Sequence, residues 1–247
     1  MTTVTDPAGT RLLLSGVSLI RDGKPVLSGL DLDRRVTRLG IVGRNGSGKS
    51  TLARLLAGLV APSGGELRLD GIDPARDRKA ALQKVGIIFQ NPDHQLIFPT
   101  VIEEIAFGLT QQGQSRTRAN DNARKVLARF GKPHWHDAYV NALSQGQKHL
   151  VCLMSIVAMA PGLLILDEPF AGLDIPTKAQ LRRHLELFRG ALIHITHDPA
   201  DLAGYDQVLW LDQGKIRDCG PAAQVLTDFV ACMHRIGEGN DLADLAG

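Results

Sequence analysis

Residues 38–59 read RLGIV-GRNGSGKS-TLARLLAGL: an apolar strand Arg38–Val42, a glycine-rich loop Gly43–Ser50, and a helix-forming stretch closed by Gly58 and Pro62. Gly43-Arg44-Asn45-Gly46-Ser47-Gly48-Lys49-Ser50 has the GxxxxGK[ST] spacing, in the strand-to-helix context that gives the pattern meaning. Glycine lets the backbone curl until successive N–H groups point inward at a phosphate, and the following helix adds its positive N-terminal end. On this reading Asn45, Gly46, Ser47 and Gly48 wrap the phosphate, and Lys49 reaches the β- and γ-phosphates. Ser50 offers a hydroxyl to Mg²⁺, with Thr51 near the α-phosphate. The expected ligands are ATP and Mg²⁺.

Working outward, residues 11–37 hold two strand-like pieces, LLLSGVSLI and PVLSGLDLD, around the turn Asp22-Gly23-Lys24-Pro25, which predicts an antiparallel hairpin region. VGIIF (85–89) is a second apolar strand ending at Gln90, and the next 70 or so residues predict a helical insertion. LLIL (163–166), ALIHIT (191–196) and QVLWLD (207–212) follow, with the helix-like KAQLRRHLELF between the first two. This alternation specifies a mostly parallel sheet. The first of these strands ends at Asp167-Glu168, and strand ends of that kind face the ligand crevice. Asp167 is expected to hold Mg²⁺ and Glu168 to polarise the attacking water.

Composition agrees with an ordinary α/β chain. Of 247 residues, 44% are hydrophobic and 22% charged, and 28 basic against 26 acidic side chains leave +2, too balanced for a nucleic-acid track. Cys152, Cys219 and Cys232 share no CxxC spacing and read as core thiols in a reducing compartment. His134 and His136 flank Trp135 without a ligand-spaced carboxylate or thiol, and read as surface residues. The opening MTTVTDPAGTR has no basic segment leading into an apolar block, and the apolar run Leu150–Leu166 is broken by Pro161-Gly162. A cytoplasmic chain without leader or anchor is therefore expected.

Between Gln90 and Asp167 lies Leu143-Ser144-Gln145-Gly146-Gln147, followed by an apolar helix. With the phosphate loop, Gln90, the Asp167-Glu168 strand, Ala171-Gly172-Leu173-Asp174 and His197 in that order, the sequence over about residues 11–225 resembles the ATP-binding-cassette ATPases. The resemblance implies a P-loop NTPase (RecA-like) core with an N-terminal antiparallel β-subdomain and an inserted α-helical subdomain at about 92–160. The ATPase domain would span 1–235, with a short tail at 236–247. It implies a homodimer, or a heterodimer with a related ATPase, in which Ser144, Gln145, Gly146 and Gln147 of one subunit complete the other's ATP site. The γ-phosphate would then lie at a helix beginning near Gln147 or Lys148. Gln90 would sense Mg²⁺ and the lytic water, His197 would contact the γ-phosphate, and Asp174 would lie in the D-loop.

Two positions depart from the family. Gln145 stands where glycine is usual, at a cost if that position needs a positive φ or close approach to a phosphate. Arg21 stands where an aromatic usually stacks on adenine, and its guanidinium plane is the expected substitute.

The run Asn91-Pro92-Asp93-His94-Gln95-Leu96-Ile97-Phe98, followed by Glu103-Glu104, resembles the energy-coupling-factor importers of vitamins and metal ions. This implies that Leu96, Ile97 and Phe98 receive a helix of a transmembrane coupling protein, that a substrate-binding membrane protein completes the complex, and that the chain sits on the cytoplasmic face. Biotin and cobalt or nickel are the expected cargoes. The short stretch after the core implies no long regulatory domain of the sugar-importer kind. Two alternatives stand beside this reading: a soluble scaffold ATPase of iron–sulfur assembly, favoured if Leu96–Phe98 is buried, and a nucleotide-gated switch that hardly hydrolyses, motivated by Gln145.

Overall fold

The computed structural model describes residues 9–238. Expectations for the tail concern, from residue 239 on, positions outside the described residues. Two sheets share the chain. The smaller is antiparallel: β1 (Thr10–Arg21) pairs with β2 (Lys24–Val36) on one side and with β4 (Gly64–Leu69) on the other. Asp22 and Gly23, both at positive φ, make the tight turn between β1 and β2 that the sequence signals. Leu12, Leu14, Val17, Leu27 and Leu30 are buried, while the intervening polar residues largely face water.

The larger sheet has the order β5-β6-β7-β3-β8-β9. Its five parallel strands are β5 (Val85–Ile88), β6 (Leu163–Asp167), β7 (Ala191–Ile195), β3 (Arg38–Val42) and β8 (Gln207–Asp212). Every residue of β6 and β7 is buried, as expected of strands covered on both faces. β9 (Lys215–Pro221) adds an antiparallel edge. The sheet orders thus match the mixed α/β architecture read from the sequence.

Helix α1 (Lys49–Leu56) follows the phosphate loop, and Leu52, Leu55 and Leu56 bury it against β-sheet residues of both sheets. α2 (Arg78–Lys84) leads into β5. The expected insertion between β5 and β6 carries α3 (Val101–Gln111), α4 (Arg116–Arg129) and α5 (Gln145–Ala158), packed with Phe130, Trp135 and Val140 in a second core. α6 (Ile175–Glu186) joins β6 to β7, and α7 (Ala222–Gly237) covers Trp210 with Phe229.

The sequence reading passes over β4, α2, β9 and α7; α7 runs two residues beyond the expected domain end at 235. Cys152 and Cys232 are buried and Cys219 partly so. His134 is exposed, and His136 is bonded to Asp137 at 2.6 Å. Among the described residues no helix is long and apolar enough to cross a membrane.

Candidate functional site

The C-terminal ends of β3 and β6 lie in one sheet, and the loops that leave them meet over a cleft of about 540 Å³. Asn45, Gly46, Gly48, Lys49, Ser50 and Thr51 of the phosphate loop line it, together with Gln90, Glu168 and His197. Residues drawn from four separate stretches of sequence therefore converge on one cleft.

The loop is shaped by contacts a larger residue would break. Gly48, the residue before α1, holds φ +99°, and a Cβ there would fall 2.7 Å from Leu27 Cδ2. No side chain caps α1, and no acid occupies its first turn, which leaves an anion-ready helix end. Lys49 is buried, with Nζ donating to the carbonyls of Gly43 at 2.7 Å and Arg44 at 2.9 Å. Burial pushes its pKa down, against the opposing pull of Glu168 and Asp167. The loop thus holds its cation folded back on its own backbone.

Asp167 and Glu168, though adjacent, have different surroundings. Asp167 is 4% exposed and accepts from Ser50 Oγ at 3.0 Å. Burial raises its pKa, the Ser50 hydrogen bond opposes this, and the neighbouring Glu168 adds to it. Glu168 takes a left-handed φ of +53°, uncommon for a residue with a side chain, while its N–H donates to Ile195 O across to β7 at 2.9 Å. The turn aims its carboxylate at His197, whose Nδ1 lies 2.8 Å from Glu168 Oε2. A carboxylate and an imidazole joined this way, at the rim of the cleft, can pass a proton between them.

Ser144, Gln145, Gly146 and Gln147 lie elsewhere, none of them among the residues lining this cleft. α5 begins at Gln145, two or three residues before the expected start. Ser144 caps it: its Oγ accepts from Gln147 N at 3.4 Å, and Gln147 Oε1 accepts from Ser144 N at 2.8 Å. Gln145 is the first helical residue and has no positive φ, so the strain expected of a non-glycine there is absent. Gly146 is the position that must stay small, because a Cβ there would stand 2.5 Å from Thr177 Cγ2 on α6. Asp174 caps α6 by accepting from Thr177 N at 3.0 Å, and its bonds with Thr177 hold its carboxyl below the usual range.

Arg21 does not line the cleft; its guanidinium is largely exposed, 3.8 Å from Asp22. Val26 of β2 is the residue of the small sheet that does, and the sequence reading missed it. Only its place three residues past the hairpin turn could have flagged it. Leu96 is half-buried against the helical core, Ile97 is 75% exposed, and Phe98 packs on Phe107 with ring centres 4.9 Å apart. Phe98, Phe107, Ile102 and Tyr139 line a separate groove of about 590 Å³ on the helical subdomain.

Comparison with known proteins gives a consistent picture. A family model described as ABC transporter matches residues 30–171. The biotin transport ATP-binding protein BioM of Rhodobacter capsulatus is 48% identical over 220 residues, covering 89% of this chain and 94% of the relative. The energy-coupling factor transporter ATP-binding protein EcfA1 of Lactobacillus delbrueckii is 36% identical over 223 residues, covering 87% of this chain and 79% of the relative. The solved structure of cbiO1 from Clostridium perfringens, part of the ABC transporter complex cbiONQ, superposes with a TM-score of 0.75. It shows 28% identity and covers 89% of this chain and 91% of that one.

Proposed function

The chain belongs to the ABC transporter family, as an ATPase subunit of energy-coupling-factor type, and we propose that it drives biotin uptake from the cytoplasmic face of the membrane. The observation that carries the cargo is the 48% identity with a biotin transport ATP-binding protein along nearly the full length of both chains. The ATPase activity is coupled to transport, and the assembly includes a second ATPase copy and membrane partners.

In our reading ATP enters the cleft with its phosphates against the phosphate loop. Lys49 then exchanges the carbonyls of Gly43 and Arg44 for phosphate oxygens, trading neutral acceptors for charged ones. Val26 lies against the nucleoside end, in the role first expected of Arg21. Ser50 Oγ and the Asp167 carboxylate, 3.0 Å apart, are hard oxygen donors of the kind Mg²⁺ prefers, with Gln90 on the same cleft as a third. That ion, when bound, screens the charge of the β- and γ-phosphates.

Glu168 accepts a proton from water as the water oxygen bonds to the γ-phosphorus. The bond from that phosphorus to the bridging oxygen breaks, and its electron pair leaves with ADP. His197 steadies Glu168 through Nδ1 and faces the γ-phosphate. Ser144, Gln145, Gly146 and Gln147 present the exposed N-terminus of α5 to the nucleotide of the second copy, with Asp174 beside them. ATP thereby bridges two chains, and loss of its γ-phosphate lets them part.

The groove lined by Phe98 supports docking of a helix from the membrane coupling protein, and the preceding residue, Ile97, is exposed. That exposure counts against the soluble-scaffold alternative, which needs the segment buried. The test is purification of the complex from membranes, followed by ATP-dependent accumulation of labelled biotin in proteoliposomes. Accumulation of nickel or cobalt in place of biotin would overturn the cargo.

A further inference from the structure

Lys148 and His149 directly follow the LSQGQ segment, and both reach back to the turn after β5. Lys148 Nζ donates to Asp93 Oδ1 at 2.6 Å, with the lysine side chain 18% exposed and the aspartate 53%. His149 is 1% exposed. Its Nδ1 lies 3.0 Å from the carbonyl oxygen of Gln145, the first residue of α5, and its Nε2 lies 3.2 Å from that of Gln90. A single buried ring thus stands between the start of α5 and Gln90 on the cleft.

The far end of the same segment is also tied. Glu104 of α3 is 6% exposed, and its Oε2 accepts from Ile97 N at 2.8 Å and Phe98 N at 2.9 Å. Between these ties Gln95 Oε1 accepts from Phe89 N at 3.3 Å. Residues 89–98 are therefore a strut fastened to α5 at its head and to α3 at its tail.

We infer that Lys148 and His149 are positioning residues that bind the Gln90–Asp93 turn to the N-terminus of α5, so that a push on the docking segment moves the LSQGQ segment of the same chain with it. The inference rests on the reading above, in which Gln90 serves this chain's nucleotide and LSQGQ serves the second copy's. Its physical content is a continuous chain of contacts from the docking groove to both nucleotides, made of two hydrogen-bonded ties and one buried carboxylate. The partner's movement then reaches the opposite ATP without passing through the central sheet.

The experiment uses the complete complex with its membrane subunits and measures two quantities: the factor by which those subunits stimulate ATP hydrolysis, and the KM for ATP. Lys148→Asp should lower the stimulation by about five- to tenfold while KM stays within about twofold. The exchange Lys148→Asp with Asp93→Lys should bring stimulation back to within about twofold of the native chain, which ties the loss to this pair, and the unchanged KM separates it from a general loss of structure. His149→Ala should lose stimulation to a similar degree. His149→Gln, whose amide N–H still donates to a carbonyl, should keep at least about half.

Native stimulation in Lys148→Asp and His149→Ala would overturn the inference, as would failure of the charge exchange to rescue a variant that melts like the native chain. If Lys148→Asp fails to assemble, recovery of the complex on charge exchange supports the tie and continued failure overturns it. These outcomes are separate from the reading beneath them, which falls if Glu168→Gln still hydrolyses ATP at the native rate.

Discussion

Two helix N-termini in this chain are suited to a polyanion, and they are prepared in opposite ways. α1 starts from Gly48 without any side-chain cap, its first turn inside a lined cleft, with a buried lysine bonded to the loop's own carbonyls. α5 starts from Ser144 with its capping box closed and its first residues exposed. The first is held in shape by the chain around it and waits only for ligand. The second is already satisfied locally and turns outward, which on the proposed function leaves it to a phosphate brought by the second copy. On the proposed function, one chain therefore carries one nearly complete half of a site and one half that serves the second copy.

The largest effect that would break this contrast lies on the first half. Glu168→Gln keeps the shape of the side chain but removes the proton acceptor. Turnover should fall by roughly 10²-fold or more, while ATP stays bound and holds two chains together as a dimer resolvable by size-exclusion chromatography. Native turnover in that variant would mean the carboxylate beside His197 is not the base.

The sheet beneath the phosphate loop gives the next effect. His194 on β7 is 1% exposed, bonded at Nδ1 to the Tyr205 hydroxyl at 3.1 Å, and burial, with Arg182 adding, pushes its pKa down to about 3. An unfolded histidine titrates near 6.5, so below that pH the unfolded chain takes up a proton the folded chain refuses. The stability this neutral ring contributes is complete above about pH 6.5 and is lost as pH falls toward 3. Between pH 7 and pH 4.5 the loss should be roughly 2–3 kcal/mol more in the native chain than in His194→Gln. Urea melts at the two pH values measure it, and equal losses in both chains would contradict it.

The contrast also explains which features were legible in the sequence. The phosphate loop and the Asp167-Glu168 strand declare themselves because their chemistry is local: spacing fixes the turn, and the turn fixes where the side chains go. The sheet was readable from VGIIF, LLIL and ALIHIT because strands covered by the rest of the fold are dominated by apolar residues. β4 was not, since GGELRL carries only two buried leucines at alternate positions and takes its meaning from pairing with β1. His149 and Glu104 were equally hidden. A buried histidine between two backbone carbonyls leaves no mark in a sequence, because its partners are peptide groups that every residue possesses. Val26 and Arg21 show the same limit, since which of two hairpin residues reaches the cleft depends on how the small sheet sits on the loop.

A smaller effect probes the second half of the site. Gly146 faces Thr177 across the gap between α5 and α6, and the methyl of Gly146→Ala would stand 2.5 Å from Cγ2. The substitution should cost about 1–3 kcal/mol in thermal or urea unfolding. Adding Thr177→Ser removes the opposing methyl and should recover most of it, leaving a hydroxyl at the 3.1 Å now seen for Oγ1. Failure of the pair to recover would mean that the cost does not come from the contact with Thr177 Cγ2.

The smallest effect bears on the residue that departs from the family pattern. Because Gln145 occupies the first turn of α5 without a positive φ, restoring glycine relieves no strain in the folded chain. It adds freedom to the unfolded one. Gln145→Gly should therefore leave stability unchanged or lower it by less than about 1 kcal/mol. A gain in melting temperature would show that the exposed helix start carries a strain its dihedrals do not reveal. Hydrolysis in the assembled transporter supplies the complementary reading. If glutamine crowds the second copy's phosphate, Gln145→Gly raises turnover while stability stays flat, placing the cost in the interface between chains and leaving the fold of each chain untouched.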